Sequence, residues 1–146
     1  YKNDKKTGLV VICGSNKWLY KQLHGRYPGK ITAVRFTDKM AAYMRMADVF
    51  VTKPGGLSTT EGAVLGVPMV HIMSIPGCET RNMRFFAQYG MSVPVKRIGM
   101  GLPNATDRLL SRAEAEKVTE NQRKYINSAA AADICRLAEK LINNGL

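Results

Sequence analysis

A strand, a glycine turn and a helix start follow one another in the middle of the chain, and this succession most constrains the fold. Asp48–Thr52 is a short, largely apolar run of the kind that forms a buried strand. Gly55 and Gly56 allow a tight turn, and Ser58 with Glu61 three residues later has the spacing of a capping box. Unpaired N–H groups at such a helix start favour an anion such as phosphate. An ordinary strand-to-helix turn has the same composition, so both interpretations stay open.

Apolar runs of strand length alternate with helical patterns along the chain. This alternation is typical of βαβ units and predicts an α/β fold with a doubly wound, Rossmann-like parallel sheet. The continuous apolar run at the first strand predicts cover on both faces, and Pro94 predicts that the last strand lies at an edge. The predicted strands are Leu9–Cys13, Ile31–Phe36, Asp48–Thr52, Pro68–Met73 and Met91–Val95.

Helices are predicted between these strands and after the last one. Thr37 is expected to cap a helix whose apolar face carries Met40, Tyr43, Met44 and Ala47. Other helices are predicted from about Lys17 to Leu23, up to Leu65 with Gly66 as the stop, and up to Gly90. Two helices are predicted to finish the chain, the last with Ile134, Leu137, Ala138 and Leu141 on one face and Gly145 beyond its end. Loops are predicted at His24–Gly29, Ser74–Asn82 and Lys96–Ala105.

Polar turns, three of which contain glycine, follow four of the predicted strands. They lie at Gly14, Phe36–Thr37, Gly55–Gly56 and Pro76–Gly77. In doubly wound sheets ligands bind beyond the carboxyl ends of the strands, so these turns predict a binding site. Gly14 lacks the partner glycines of a dinucleotide fingerprint, which disfavours a nicotinamide or flavin cofactor.

The chain is strongly basic, with 22 Lys and Arg against 11 Asp and Glu and a net charge of +11. These charges are scattered, and no RNA-binding aromatic signature accompanies them, so we expect no nucleic-acid partner. An anionic membrane surface, with its lipid head groups, is a candidate partner, while a merely solvated basic face is the plainer alternative. No apolar stretch approaches the roughly 20 residues of a membrane-spanning helix.

The residues that commonly bind metals show no ligand spacing. Cys13, Cys78 and Cys135 are far apart and odd in number, which predicts neither a metal site nor a disulfide framework and favours a reducing compartment, the cytoplasm. His71 lies inside a predicted strand and is expected to be a hydrogen-bonded core residue rather than a catalyst. The 146 residues suit one domain, and a start at Tyr1 without Met or an apolar leader suggests a piece of a longer chain.

Several motifs together resemble one protein family in order and spacing. They are Phe36–Met40, Ala47–Asp48, Thr52–Glu61, Gly66–Pro68 and Ile75–Asn82. The family is that of GT-B glycosyltransferases, which contains monogalactosyldiacylglycerol synthase, the processive diacylglycerol glucosyltransferases and, more distantly, the lipid II N-acetylglucosaminyltransferase. The resemblance covers nearly the whole chain, but only the family's C-terminal, donor-binding domain. It implies that residues 1–146 form one half of a GT-B fold and that an N-terminal acceptor domain is missing from this chain.

The resemblance also implies a set of residues that bind a UDP-sugar. Glu61 corresponds to the carboxylate that accepts hydrogen bonds from the ribose hydroxyls, although it could instead close the capping box on Ser58. The remaining positions are Gly55, Gly56, Leu57, Ser58 and Thr60 in the diphosphate segment, Gly14 and Ser15 facing the same phosphates, Phe36 and Thr37 at the uracil, and Glu79, Arg81 and Asn82 at the hexose. Relatives often have Gln where this chain has Cys78.

The family's chemistry implies an inverting transfer from UDP-sugar to a lipid such as diacylglycerol, with no cofactor and no metal. This domain would stabilise the leaving diphosphate, and the catalytic base would belong to the missing domain, so no catalytic residue is assigned. The isolated domain is expected to bind UDP weakly and to transfer little sugar. The resemblance further implies a cytoplasmic enzyme, peripheral at the membrane face.

Three alternatives remain beside this interpretation. The chain could be the standalone donor-binding subunit of a two-protein N-acetylglucosaminyltransferase. It could be a non-catalytic basic domain that binds nucleotide, lipid or nucleic acid. It could also belong to a nucleotide-sugar epimerase of related architecture. The sequence leaves glucose, galactose and N-acetylglucosamine open as the donor sugar.

Overall fold

The computed structural model describes residues 7–27, 29, 31–72 and 75–143. The chain divides into two compact units, Tyr1–Met40 and Ala41–Leu146. Within the described ranges, no helix is both long enough and apolar enough to cross a membrane.

The first unit is a βαβ arrangement. Strand β1 (Leu9–Ile12) pairs in parallel with β2 (Ile31–Val34), and helix α1 (Lys17–Arg26) connects them. The Asn16 side chain begins α1 by accepting a hydrogen bond of 2.9 Å from the Leu19 amide. The helix continues through His24–Arg26, so the loop predicted there is wrong at its start. The predicted cover on both faces of β1 is also wrong within this unit, since Leu9 and Val10 are nearly half exposed and the unit supplies only one helix after the strand.

The second unit holds a parallel ladder in the order β3-β4-β5. Its strands are β3 (Phe50–Thr52), β4 (Met69–Ile72) and β5 (Val93–Val95). Helix α2 (Met40–Met46) precedes β3, α3 (Gly56–Val64) joins β3 to β4, and α4 (Cys78–Gln88) joins β4 to β5. The predicted alternation and parallel pairing are therefore confirmed, and β5 lies at an edge as Pro94 indicated. Contrary to prediction, Phe50 and Thr52 of β3 are only partly buried and Val51 is exposed, because β3 forms the other edge of this ladder and has a neighbouring strand on one side only.

Helices α5 (Ile98–Leu110) and α6 (Arg112–Tyr125) complete the core of the second unit. Ala105 and Leu109 of α5 pack with Val70, Val95 and Val118 in one apolar cluster. The loop predicted at Lys96–Ala105 is therefore wrong from Ile98 onward. Two glycines and a proline made this segment read as irregular, but burial of one helix face outweighs their low helix propensity.

Helix α7 (Ala130–Asn143) confirms the predicted last helix, although three helices rather than two follow β5 within the described residues. Its apolar spacing does not face the core, because Ile134 and Leu137 are more than half exposed. The predicted Gly145 stop lies outside the described residues. The second unit therefore contains a helix whose apolar face is open in this chain.

Candidate functional site

The start of α3 presents backbone N–H groups without acceptors inside the helix. The Thr59 amide donates to the Gly55 carbonyl at 3.2 Å, which is the first bond of the helical pattern. The amides of Gly56, Leu57 and Ser58 come before it and so have no intrahelical partner. A Cβ placed on Gly56 would meet no atom within 4 Å. An anion can therefore approach these amides closely, at the positive end of the helix dipole.

The predicted capping box at this helix is wrong. The cap is Gly55, with φ −72° and ψ 147°, and no side chain caps the helix. Ser58 is already the third residue of α3, because the Pro-Gly-Gly turn starts the helix earlier than the box spacing implies. Glu61 lies further along the helix, with its side chain exposed. The alternative role of Glu61, closing a capping box on Ser58, is therefore excluded.

Glu79 connects the turn before α3 to the start of α4. One carboxylate oxygen lies 2.7 Å from Lys53 Nζ, and the other accepts a 2.9 Å hydrogen bond from the Ile75 amide. The hydrogen bond from Lys53, followed by that from the Ile75 amide, lowers the pKa of Glu79 below its usual value. Glu79 Oε1, the oxygen that contacts Lys53, lies 4.0 Å from where a Cβ on Gly55 would stand. The structure therefore brings Glu79 to the start of α3, beside the predicted diphosphate segment.

Asn82 makes a second connection between these two turns. Its amide nitrogen donates to the Pro54 carbonyl at 3.0 Å. Helix α4 begins at Cys78, so Glu79, Arg81 and Asn82 lie in its first turns rather than in the predicted loop. Gly77 enters the helix at φ +104°, a conformation that side chains rarely permit. The hexose-binding candidates are thus held on a helix and tied to the α3 turn.

The candidates in the first unit also lie beyond carboxyl ends of strands. Gly14, at φ +57°, and the exposed Ser15 follow β1. Phe36 is 80% exposed after β2. The Thr37 hydroxyl accepts a 3.0 Å hydrogen bond from the Lys39 amide, which caps a turn ahead of α2 instead of the helix itself. Each unit therefore places its own predicted residues at the edge where α/β proteins bind ligands.

His71 is a buried core residue, as the sequence predicted. Its Nδ1 lies 2.9 Å from Ser92 Oγ, and its Nε2 lies 3.4 Å from Thr59 Oγ1. Burial lowers its pKa to about 4, so the ring is neutral near pH 7. Thr59 belongs to α3, and His71 therefore contacts the helix whose first amides form the candidate anion site.

Lys53 lies within the motif Thr52–Glu61, but no role was predicted for it from the sequence. A basic side chain directly before Pro-Gly-Gly is the signal that could have identified it. The Lys53 side chain is 60% exposed, whereas the Glu79 side chain is 13% exposed. Among the residues that the structure describes, no group of three His, Cys, Asp or Glu side chains could hold a metal ion.

Comparisons with known proteins agree on one family. Residues 2–137 match the family model described as Glycosyltransferase family 28 C-terminal domain. A processive diacylglycerol beta-glucosyltransferase of Bacillus pumilus (strain SAFR-032) is 28% identical over 148 residues, which cover 97% of this chain and 39% of the relative. The protein of the same name from Bacillus licheniformis is 30% identical over 116 residues, which cover 77% of this chain and 30% of the relative.

Two solved structures share the fold. A glycotransferase of kitacinnamycin has a TM-score of 0.72 at 23% identity, covering 93% of this chain and 36% of that one. MurG of Acinetobacter baumannii has a TM-score of 0.72 at 22% identity, covering 96% of this chain and 43% of that one. These likenesses confirm the predicted fold class. The chain spans less than half the length of each of these relatives.

Proposed function

This chain belongs to the glycosyltransferase family 28 C-terminal domains, and on that premise we propose that it is the UDP-sugar-binding domain of an inverting glycosyltransferase that transfers a hexose to a lipid acceptor such as diacylglycerol. The observation that carries the proposal is the uncapped start of α3, joined through Glu79 and Asn82 to α4. The names of the two Bacillus relatives support a lipid acceptor.

The diphosphate of the donor binds at the start of α3. The amides of Gly56, Leu57 and Ser58 point away from the helix and donate to phosphate oxygens. As the sugar leaves, negative charge grows on UDP, and these fixed donors stabilise that charge without reorganising. Thr60 lies on the next turn of α3. Gly14 and Ser15, which follow β1, are proposed as phosphate-binding residues of the first unit.

We propose nucleoside-binding roles for Glu61 in the second unit and, separately, for the turn after β2 in the first unit. The Glu61 carboxylate accepts hydrogen bonds from the two ribose hydroxyls, which an ionised carboxylate can do with its two oxygens. Backbone groups at Phe36 and Thr37 meet the uracil edge. The exposure of the Glu61 and Phe36 side chains leaves both accessible to a ligand.

The hexose is bound by the first turns of α4. Both Glu79 oxygens already accept one hydrogen bond, and each retains a lone pair for a sugar hydroxyl. Asn82 uses its amide N–H on Pro54, which leaves its oxygen as an acceptor. Arg81 completes the set, while Cys78 stands where relatives often have Gln.

The acceptor lipid and the catalytic base come from outside this domain. We place the base on another domain of a longer protein, because the chain spans only 39% of the length of the Bacillus pumilus relative. The reaction uses UDP-sugar as a substrate and needs no cofactor. The enzyme works in the cytoplasm, bound peripherally to an anionic membrane face, and takes no nucleic-acid partner.

Calorimetric titration with UDP, UMP and NAD tests the donor site. We expect UDP to bind more tightly than UMP or NAD, and Glu61→Ala to weaken UDP binding by roughly 1–3 kcal/mol, the scale of hydrogen bonds to a charged group. Glu120→Ala, another exposed carboxylate on a helix, is the matched control and should leave binding unchanged. A Glu61→Ala protein that melts earlier but binds UDP normally would contradict the ribose assignment.

Transfer assays test whether this domain needs another domain to catalyse sugar transfer. The isolated chain should transfer little or no glucose from UDP-glucose to diacylglycerol in vesicles, whereas a longer protein that contains it should do so. Robust turnover by the 146 residues alone would show that the catalytic base lies within this chain.

A further inference from the structure

A groove of about 780 Å³ runs along β5 and the first turns of α5, and none of the residues assigned to the donor lines it. Its floor includes the buried side chains of Val95 and Ala105. Its rim carries three cationic side chains, Lys96, Arg97 and Arg108. The groove therefore combines an apolar floor with a positively charged edge.

Two glycines keep the groove open along the helix wall. A Cβ on Gly101 would come within 3.1 Å of a Val95 methyl group, and one on Gly99 would project into open space. Both glycines line the groove. Gly101 therefore lets α5 approach β5 closely, and neither glycine places a side chain in the groove.

The cations at the rim differ in how far they are neutralised. Arg108 is paired with Glu114 at 2.5 Å. Within the described ranges, no ion pair is formed by Lys96 or Arg97, which are adjacent in sequence and exposed. These two side chains therefore present a concentrated positive charge at the mouth of the groove.

Apolar side chains project beside these charges. Met100 lines the groove and is 84% exposed, and Ile98 at the start of α5 is 43% exposed. An exposed thioether and an exposed aliphatic side chain next to two cations can enter the boundary between lipid head groups and acyl chains. A free phosphate or a nucleotide would use the charges but leave the apolar floor uncovered.

We propose that this groove docks an anionic phospholipid at the surface of a bilayer, with the head group on Lys96 and Arg97 and Met100 inserted among the acyl chains. The proposal rests on the proposed function in one respect, since that function brings the protein to a membrane. It adds a lipid-contacting surface within the donor-binding domain, and the net charge of +11 supplies the long-range attraction toward it.

Vesicle co-sedimentation of the full chain tests the proposal. Vesicles of phosphatidylcholine mixed with phosphatidylglycerol should bind the protein, and vesicles of phosphatidylcholine alone should bind it far less. Lys96→Glu with Arg97→Glu should weaken binding to the mixed vesicles by roughly tenfold or more. Met100→Asp should weaken it without removing a positive charge from the groove.

A matched control separates the groove from general charge. Lys21→Glu with Lys117→Glu makes the same change in net charge on exposed helix surfaces elsewhere. This variant should keep most of its vesicle binding. Equal losses in both double variants would overturn the proposal in favour of diffuse electrostatic attraction. Absence of binding to the mixed vesicles would also overturn it, and a segment of a longer protein would then be the better occupant.

Titration of the same variants with UDP separates this proposal from the donor site. The groove variants should bind UDP as the unchanged protein does, and circular dichroism should show that they fold. Lost vesicle binding with normal UDP binding assigns the defect to the groove. If the unchanged protein binds vesicles but does not bind UDP, the donor-site proposal is contradicted and the lipid-groove proposal is retained.

Discussion

Lys53 Nζ lies 2.7 Å from Glu79 Oε1, and this contact joins two turns that are 26 positions apart in the chain. One turn follows β3 and begins α3, and the other follows β4 and begins α4. The Asn82 amide reinforces the connection through the Pro54 carbonyl. The diphosphate and hexose parts of the proposed donor site are thereby fixed relative to each other.

Lys53→Met should weaken UDP-glucose binding more than UDP binding. Without its cationic partner, the Glu79 carboxylate is free to rotate away from the hexose, and the affinity for UDP-glucose should fall roughly tenfold. Calorimetry with both ligands measures the difference. Lys117→Met is the control for charge, and an equal loss for UDP and UDP-glucose would instead indicate that Lys53 binds phosphate directly.

The Lys53–Glu79 contact should persist at neutral pH and fail in acid. Because the folded protein holds the pKa of Glu79 below 4.5, ionisation of this carboxyl favours folding at all pH values above that point. The contribution is lost as pH falls through the lowered pKa. A carbon-13 NMR titration of the Glu79 carboxyl should show the lowered pKa, which should rise toward 4.5 in Lys53→Met. An unchanged pKa in that variant would contradict the assigned cause.

His71 should make folding stability depend on pH between about 4 and 6.5. The folded state keeps the ring neutral, whereas the unfolded chain takes up a proton below pH 6.5, so stability falls as pH falls through this window. The full change should be roughly 3 kcal/mol, measured by urea unfolding at several pH values. His71→Gln should flatten the dependence. His24→Gln is the control, since His24 is exposed, and it should leave the slope in place.

Gly62→Ala should destabilise the protein even though alanine favours helices. A Cβ at this position of α3 would lie 2.8 Å from the Met69 sulfur and 3.3 Å from the Phe50 ring. Met69 is fully buried, so its side chain can shift only by displacing other core residues, and overpacking should cost about 1–3 kcal/mol in urea unfolding. Gly99→Ala places the same methyl group in a helix with open space around it, and it should gain about 0.5–1 kcal/mol. Equal effects of the two substitutions would show that packing around Gly62 is looser than described.

The parts of the site that follow from short sequence spacing were predicted well. The turns after the strands, the Gly66 stop of α3 and the core position of His71 were predictable from apolar runs and glycine positions. The cap of α3 could not be predicted, because the Ser58–Glu61 spacing suits a capping box equally well whether or not the helix has already begun. Which amide begins the helix depends on the whole turn around Gly55.

Partners that are distant in sequence could not be predicted in the same way. No local pattern links Lys53 to Glu79, or His71 to Ser92, because each pair meets only after parallel strands have aligned their turns. Helix α5 is a further case, since Gly99, Gly101 and Pro103 argue against a helix until burial of Leu109 is counted.

The sequence by itself determined the alternation of strands and helices as far as β5, the parallel pairing of the strands and the family, because local periodicity and motif spacing specify each of these. Only the tertiary structure decided which carboxylate meets which lysine, where α3 begins, and that the segment after β5 is a helix with an open, basic groove. These features depend on burial and on contacts between residues far apart in the chain, and the free energy of such contacts exceeds the local preferences that a sequence displays.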